Sequence, residues 1–201
     1  MPESKPRLGS GEQLGHISTC IAASGEGLIV TANLIEQSDT SELLAFELKN
    51  RKWFEKQIPP RLESFYSLAG VQSQIQEFLD LYEQEAMVPM LLRTEQGQIC
   101  GRLNLHINKT QSNTGVIGYR IGEAYTRQGV ATQAVKLIQE YIVEYTEVTE
   151  LRAIALTTNL GSIKVLEKSG FKPLEFIKNY ALLNGRHVDA NEYVWNVASE
   201  K

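Results

Sequence analysis

The sequence predicts an α/β protein: one mixed (α+β) sheet of about seven mostly antiparallel strands with about four flanking helices. Three observations lead there. Gly115 to Val135 reads as a strand, a short loop and the first turns of an amphipathic helix, whose stripe is Ala131, Ala134, Val135, Ile138, Ile142 and Tyr145. Leu151 to Leu156 is then a nearly continuous apolar run, the mark of a strand buried on both faces and parallel to its predecessor. That pairing makes a β-α-β unit with a right-handed crossover. Finally, Asn184-Gly185 lies between strand-like runs near 174–183 and 190–198, which predicts a closing hairpin.

The remaining elements follow in order. Residues 1–26 hold Pro2, Ser4, Pro6, Gly9, Ser10 and Gly11 without a sustained period and read as a loose extension before a single domain at 27–198. Leu28 to Ile35 is a first strand. Asp39 with Glu42 resembles a capping box opening a helix to about Asn50. Residues 51–69 read as irregular, broken by Pro59-Pro60, with Trp53, Phe54, Phe65 and Tyr66 plugging a core or lining a cleft. A second helix runs from about Ala69 to Gln84, with Val71, Ile75, Phe78, Leu79 and Tyr82 on one stripe. Strands at 87–94 and 99–108 are joined by Glu95-Gln96-Gly97-Gln98, and Pro89 marks the first as an edge or bulged strand. In the second, Leu103, Leu105 and Ile107 share one face, and Arg102, Asn104 and His106 the other. A short helix from about Gly161 to Ser169 ends at Gly170 as a C-cap.

Bulk properties exclude several classes. At 201 residues with a formal net charge of −4, a broad nucleic-acid-binding surface is not expected. The 2 cysteines, Cys20 and Cys100, form no C-x-x-C, so neither a disulfide framework nor a metal site is implied. No apolar stretch is long enough to span a membrane and no signal peptide opens the sequence, so the expected location is cytoplasmic, as a monomer or homodimer.

The chemistry centres on Thr126-Arg127-Gln128-Gly129-Val130-Ala131-Thr132. Gly129 and Ala131 leave little side chain over a turn whose amides have no intrahelical partner, and such amides with the helix dipole form an anion site. The gap suits a diphosphate and the adjacent strand an extended tail, which favours a nucleotide-thioester carrier over free ATP. An ordinary strand-to-helix turn is the alternative. Neither G-x-x-x-x-G-K-[ST] nor G-x-G-x-x-G occurs. The carboxyl ends of the parallel strands, Tyr119 to Gly122 and Leu156 to Asn159, converge on this loop, where open α/β sheets bind ligands.

With these residues in hand, the chain resembles the GNAT superfamily of N-acetyltransferases, and most closely its ribosomal-protein N-terminal acetyltransferase (RimJ/RimL-like) branch. The family's pyrophosphate motif Q/R-x-x-G-x-G/A reads here Thr126 to Ala131, matching at Gly129 and Ala131, and its N-x-x-S, helix, G-F element reads Asn159 to Ser162 and Gly170-Phe171. Asn50-Arg51 with Pro59-x-Arg61-x-Glu63-Ser64 is similar to the branch's first helix and cleft loop. Ile177-Lys178-x-Tyr180-x-Leu182-x-Asn184-Gly185 with Asp189 is similar to its closing hairpin.

The resemblance implies a central parallel pair that splays, acetyl-CoA as co-substrate, no metal, and an amine acceptor on a peptide or protein N-terminus or a small molecule. The amides of Gln128, Gly129, Val130, Ala131 and Thr132 would cradle the diphosphate, and Arg127 would add charge. Tyr119, Arg120 and Ile121 would pair with the pantetheine arm and offer an amide to the thioester carbonyl. Asn159 would bond the same arm, and Ser162 would protonate the departing thiolate, a helix-cap hydroxyl being its alternative. The chain departs from the pattern at Thr126 (Gln or Arg in relatives), Leu166 (Tyr), Gln57 (Trp), and at Ala181 and Val116, where carboxylates would stand. A catalytically inactive coenzyme-binding module is the reading those departures motivate.

Without a strong base the acceptor's own ionisation matters. At pH 7 roughly 10–15% of an α-amine is neutral, against about 0.04% of a lysine, which favours an α-amine. The candidate bases are His106, on the polar face of its strand, and Glu123, just after the central strand, with Tyr119 and His187 behind them.

Overall fold

A computed structural model describes residues 28–108 and 113–197, so the loose extension, His16 and Cys20 lie outside the described residues. One seven-stranded sheet carries the fold: β1 (Val30–Leu34), β2 (Met87–Thr94), β3 (Ile99–Asn108), β4 (Thr114–Ile121), β5 (Glu150–Leu156), β6 (Lys172–Leu183) and β7 (Arg186–Asn196). Their order across the sheet is β1-β2-β3-β4-β5-β7-β6. Only β4 and β5 run parallel; the other neighbours are antiparallel. α1 (Thr40–Phe54) and α2 (Leu68–Glu83) cover one face, and α3 (Val130–Tyr145) and α4 (Leu160–Lys168) the other.

The period-2 alternation of strands separates the two cores. In β2, Met90 and Leu92 join the α3 side with Ile138 and Leu105, while Leu91 joins the α1–α2 side with Phe46 and Ile75. β2 is therefore buried on both faces and lies between β1 and β3, so of the two readings that Pro89 allowed, edge or bulged, the edge is corrected and the bulge holds. Pro89 is tolerated because its carbonyl accepts from the Ile35 amide at 3.0 Å just past the end of β1. Its missing N–H points the same way, so the proline removes only the last bond of that ladder, beyond the end of β1. The bulge sits at Leu92/Arg93.

Two other expectations are corrected. α1 does not end at Asn50 but runs to Phe54, held by an Arg51–Glu55 pair at 2.9 Å and by Phe54 packing on Phe46 with centroids 5.7 Å apart. Nor do Asp39 and Glu42 form its capping box. Asp39 accepts from the Glu36 amide at 2.8 Å, and Glu42 reaches β3, accepting from the Ile99 amide at 3.0 Å. The end of α4 matches its expectation. Gly170 (φ 82°) donates to the Glu167 carbonyl at 3.1 Å and Phe171 to that of Leu166 at 3.0 Å, a Schellman closure. Asn184 and Gly185, with φ 50° and 75°, turn β6 into β7.

Candidate active site

β4 and β5 part company halfway along their length. Their register runs from Thr114↔Glu150 to Ile117↔Ala153, yet β4 continues to Ile121 and β5 to Leu156. Backbone groups of successive strand residues point to opposite neighbours. The Gly122 amide donates to Cys100 on the β3 side at 2.9 Å, so the backbone groups of Tyr119 and Ile121 face the gap. The Ile121 carbonyl is taken there by the Trp53 indole N–H at 3.1 Å. This leaves the two amides at the mouth of the splay.

At the end of β4 the chain makes a short turn over Glu123–Tyr125 and enters α3. Arg127 and Gly129 both have positive φ (62° and 79°), and Gly129 is the N-cap of α3. For Gly129 this conformation is free of strain; for Arg127 it is uncommon, and nothing in the sequence marks it. The first helical bond of α3 is from the Gln133 amide to the Gly129 carbonyl at 3.0 Å. The amides of Val130, Ala131 and Thr132 precede it, and those of Arg127, Gln128 and Gly129 donate to no other backbone group among the described residues. Arg127, Gln128 and Gly129 are exposed. Alternating turn conformations that aim consecutive amides outward make an anion-binding concavity, and its donors fit a diphosphate.

Across the gap, Asn159 is the N-cap of α4, its side-chain oxygen accepting from the Ser162 amide at 3.0 Å. The cap is thus filled by Asn159, and the Ser162 hydroxyl is left for another partner. That partner is the Tyr119 hydroxyl, 2.8 Å away. Tyr119 is largely surrounded by protein, and this burial pushes its pKa up to about 12, the Ser162 bond partly offsetting the shift. It stays protonated at any ordinary pH and serves as a donor, not a base. The pair joins a β4 residue to an α4 residue 43 positions later, a proximity that sequence spacing cannot show.

The other candidates fare differently. His106 is not brought to the site. It pairs with Val116, three positions before Tyr119 on β4, which is about 10 Å at the usual strand rise. Its ring is exposed, and partial desolvation lowers its pKa, leaving it neutral at pH 7. Glu123 sits just past the splay with an exposed side chain; its amide is anchored by the Asn50 side-chain oxygen at 2.8 Å. The side chain of Arg120 does not enter the gap. It crosses to the α1 face, stacks on Phe54 at 5.1 Å and bonds Glu47 at 2.5 Å. Cys100 is buried, which pushes its thiol up to about 12, and it donates to the Leu92 carbonyl. It is no nucleophile. Among the described residues no cluster of metal-ligating side chains occurs, and no helix is long and apolar enough to cross a membrane.

The α1 face of the sheet beside the splay carries carboxylates already engaged by arginines. Glu47 holds Arg102 and Arg120, and Glu192, opposite Ile154 on β7, lies 3.6 Å from Arg152. Over Gly118 this face is open, since a Cβ built there meets nothing within 4 Å.

Splayed parallel strands, an amide nest at the head of α3 and a hydroxyl pair across the gap define an acyltransferase. Residues 32–172 match the family model described as acetyltransferase (GNAT) domain, and the chain belongs to that family of N-acetyltransferases. It is 26% identical over 162 residues to the probable N-acetyltransferase YjcK of Bacillus subtilis, covering 80% of this chain and 90% of the relative. In fold it is similar to the ribosomal-protein-S5-alanine acetyltransferase of Vibrio fischeri, with TM-score 0.81, 20% identity, and 86% and 95% of the two chains covered. Mycobacterium smegmatis RimJ, solved in complex with CoA-disulfide, is equally similar at TM-score 0.81, with 16% identity and 87% and 85% covered.

Proposed function

We propose that the protein transfers the acetyl group of acetyl-CoA directly to the α-amine of a peptide or protein N-terminus. The observation that carries this reading is the Tyr119–Ser162 hydroxyl pair, 2.8 Å apart at the edge of the splay. It supplies a proton donor where relatives would use the residue at Leu166. Acetyl-CoA brings an activated acyl group, and the residues of this chain do the rest. The amides of Gln128 to Thr132, with Arg127 beside them, hold the diphosphate. The amides of Tyr119 and Ile121 face the thioester end and stabilise negative charge on its carbonyl oxygen.

Transfer then needs one C–N bond made and one C–S bond broken. The neutral amine attacks the carbonyl carbon, the carbonyl oxygen takes the charge, and the bond to sulfur breaks as the carbonyl re-forms. Ser162 donates its proton to sulfur while Tyr119 hydrogen-bonds the serine oxygen and shares the developing charge. The amine's extra proton leaves to water, and water restores the hydroxyl pair. No cysteine is required.

With Glu47 and Glu192 engaged by arginines, a reaction that relies on the acceptor's own ionisation favours an α-amine, whose neutral fraction at pH 7 is roughly 10–15%. The similarity to an enzyme named for a ribosomal-protein alanine supports the same reading. The test is incubation with acetyl-CoA and a panel of peptides, matched peptides blocked at the N-terminus, and small amines, following free thiol and the acetylated atom by mass spectrometry. Acetylation at the α-nitrogen, faster than on small amines, is expected. Release of no thiol with any amine, or transfer confined to small amines or lysine side chains, contradicts the proposal.

A further inference from the structure

Three arginines lie on the α1 side of the sheet, where Gly118 has open space above it, with one carboxylate among them. Arg102, from β3, donates through Nη1 to Glu47 Oε1 and to Gln74 Oε1, each at 2.9 Å. Arg120, from β4, donates to the same Glu47 oxygen at 2.5 Å. Glu47 and Arg102 are 1% and 2% exposed. The third is Arg61, in the loop between α1 and α2: it lies over Phe65, which belongs to the same core cluster as the Phe54 that Arg120 covers, and its charge acts on both other guanidiniums. Arg61 stacks on Phe65 at 4.2 Å and has no ion pair among the described residues.

The neighbouring Arg51 makes a useful contrast. It is held by two carboxylates, Glu55 and Glu63. The inner trio shares one, so positive charge is in excess around the buried Glu47–Arg102 pair, with Arg61 half-buried beside it. Such an arrangement is costly unless further acceptors complete it. Two donors show where acceptors are missing: Arg102 Nη2 and Arg61 Nε are buried and without a hydrogen-bond partner among the described residues. Burial and the nearby Arg102 also lower the pKa of Arg120, although a guanidinium remains charged.

The trio is also in the right place. Arg120 stands between Tyr119 and Ile121, whose backbones face the splay, and its side chain is 15% exposed. The next residue on the same face, Gly118, has open space above it. An acceptor whose amine reaches the splay from this side lays its first residues over Gly118 and against the guanidiniums.

We propose that Arg61, Arg102 and Arg120 form an anion subsite of the acceptor groove, which selects peptides with a carboxylate side chain at the first or second position. This rests on the peptide-acceptor reading above. The carboxylate accepts from Arg61 and from the unpaired edge of Arg102, and Arg120 fixes its distance from the reacting nitrogen. A charge-assisted bond to a guanidinium contributes enough to shift kcat/KM by roughly 10- to 100-fold.

The experiment compares kcat/KM for peptides differing only as Asp against Asn at position one, and separately at position two, with the wild-type protein, Arg61→Gln and Arg61→Lys. The wild type is expected to prefer the acidic member by roughly tenfold or more at one of the positions. Arg61→Gln should bring that ratio close to one, and Arg61→Lys should restore part of it. Turnover of the Asn peptides reports that each variant is folded. Equal rates for Asp and Asn peptides in the wild type, or a ratio that survives Arg61→Gln, overturns the subsite while leaving the peptide-acceptor reading intact. Failure to acetylate either peptide would instead count against that reading.

Discussion

Removing either hydroxyl of the Tyr119–Ser162 pair should cripple the release of the thiol while leaving coenzyme affinity in place. A positioned general acid contributes about 10²- to 10⁴-fold, or roughly 3–5 kcal/mol of barrier. Ser162→Ala deletes the proposed proton donor to the leaving sulfur and should lose most of that range. Tyr119→Phe keeps the ring and deletes one 2.8 Å hydrogen bond. Its stability cost is about 1 kcal/mol, because Ser162 is only half-buried and can be hydrated instead. Its rate cost should nevertheless be about 10²-fold, since the serine hydroxyl alone is a far weaker acid than one polarised by a phenol. The two residues act as a unit, so the double variant should be no slower than about twofold below Ser162→Ala. The assay is steady-state thiol release at saturating coenzyme, with coenzyme affinity measured separately by calorimetry. Rate losses that multiply in the double variant, or losses under about threefold in both single variants, would refute the relay.

Other expectations follow from the same geometry. Because burial holds the Tyr119 pKa near 12, above its ordinary value, the group stays protonated as pH rises. The wild-type rate should climb as the α-amine loses its proton between about pH 7 and 9 and then level off, and a fall below pH 10 would implicate a different acid. Glu47→Gln leaves two buried guanidiniums without their counter-charge and should cost about 3–5 kcal/mol in denaturant unfolding, whereas a loss under about 1 kcal/mol would contradict the packing described. His106→Asn should leave kcat/KM within about twofold, since no proton transfer is assigned to it; a loss near 10²-fold would return it to the chemistry. Gly129→Ala meets no clash, its nearest neighbour being Gln133 Nε2 at 3.7 Å. It does force a left-handed backbone on a residue with a Cβ, which should cost about 1 kcal/mol and lower Tm by roughly 2–4 °C.

What could be read from the sequence was whatever local pattern controls. The β4–loop–α3 unit, the β5 strand, the Asn184-Gly185 turn and the Gly170 terminus are set by residues within a few positions of each other, and each stands where its pattern puts it, except that β5, expected to be buried on both faces, leaves Arg152 and Ile154 partly exposed on the face away from α3. The family motifs located the amide nest for the same reason. Tertiary pairings were not readable. Arg102 shares a strand face with His106 and looks solvated beside it, yet it is buried under α1 and α2 because Glu47, 55 positions earlier, neutralises it. The Tyr119–Ser162 contact is hidden likewise, since 43 positions separate the two and nothing in that spacing brings two hydroxyls together. Pro89 misled because the rule about ladder donors is satisfied at the end of a neighbouring strand as well as at a sheet edge. α1 outran its expected end because Trp53 and Phe54 resemble loop plugs until their partners, Ile121 and Phe46, are known.

Titration of acetyl-CoA into the full chain by isothermal calorimetry, beside Gly129→Glu, bears on the central claim most directly. Saturable heat at one coenzyme per chain, abolished when a carboxylate is placed among the amides at the head of α3, is the predicted result. A silent titration of the wild type, or undiminished binding by Gly129→Glu, would contradict the account at its root.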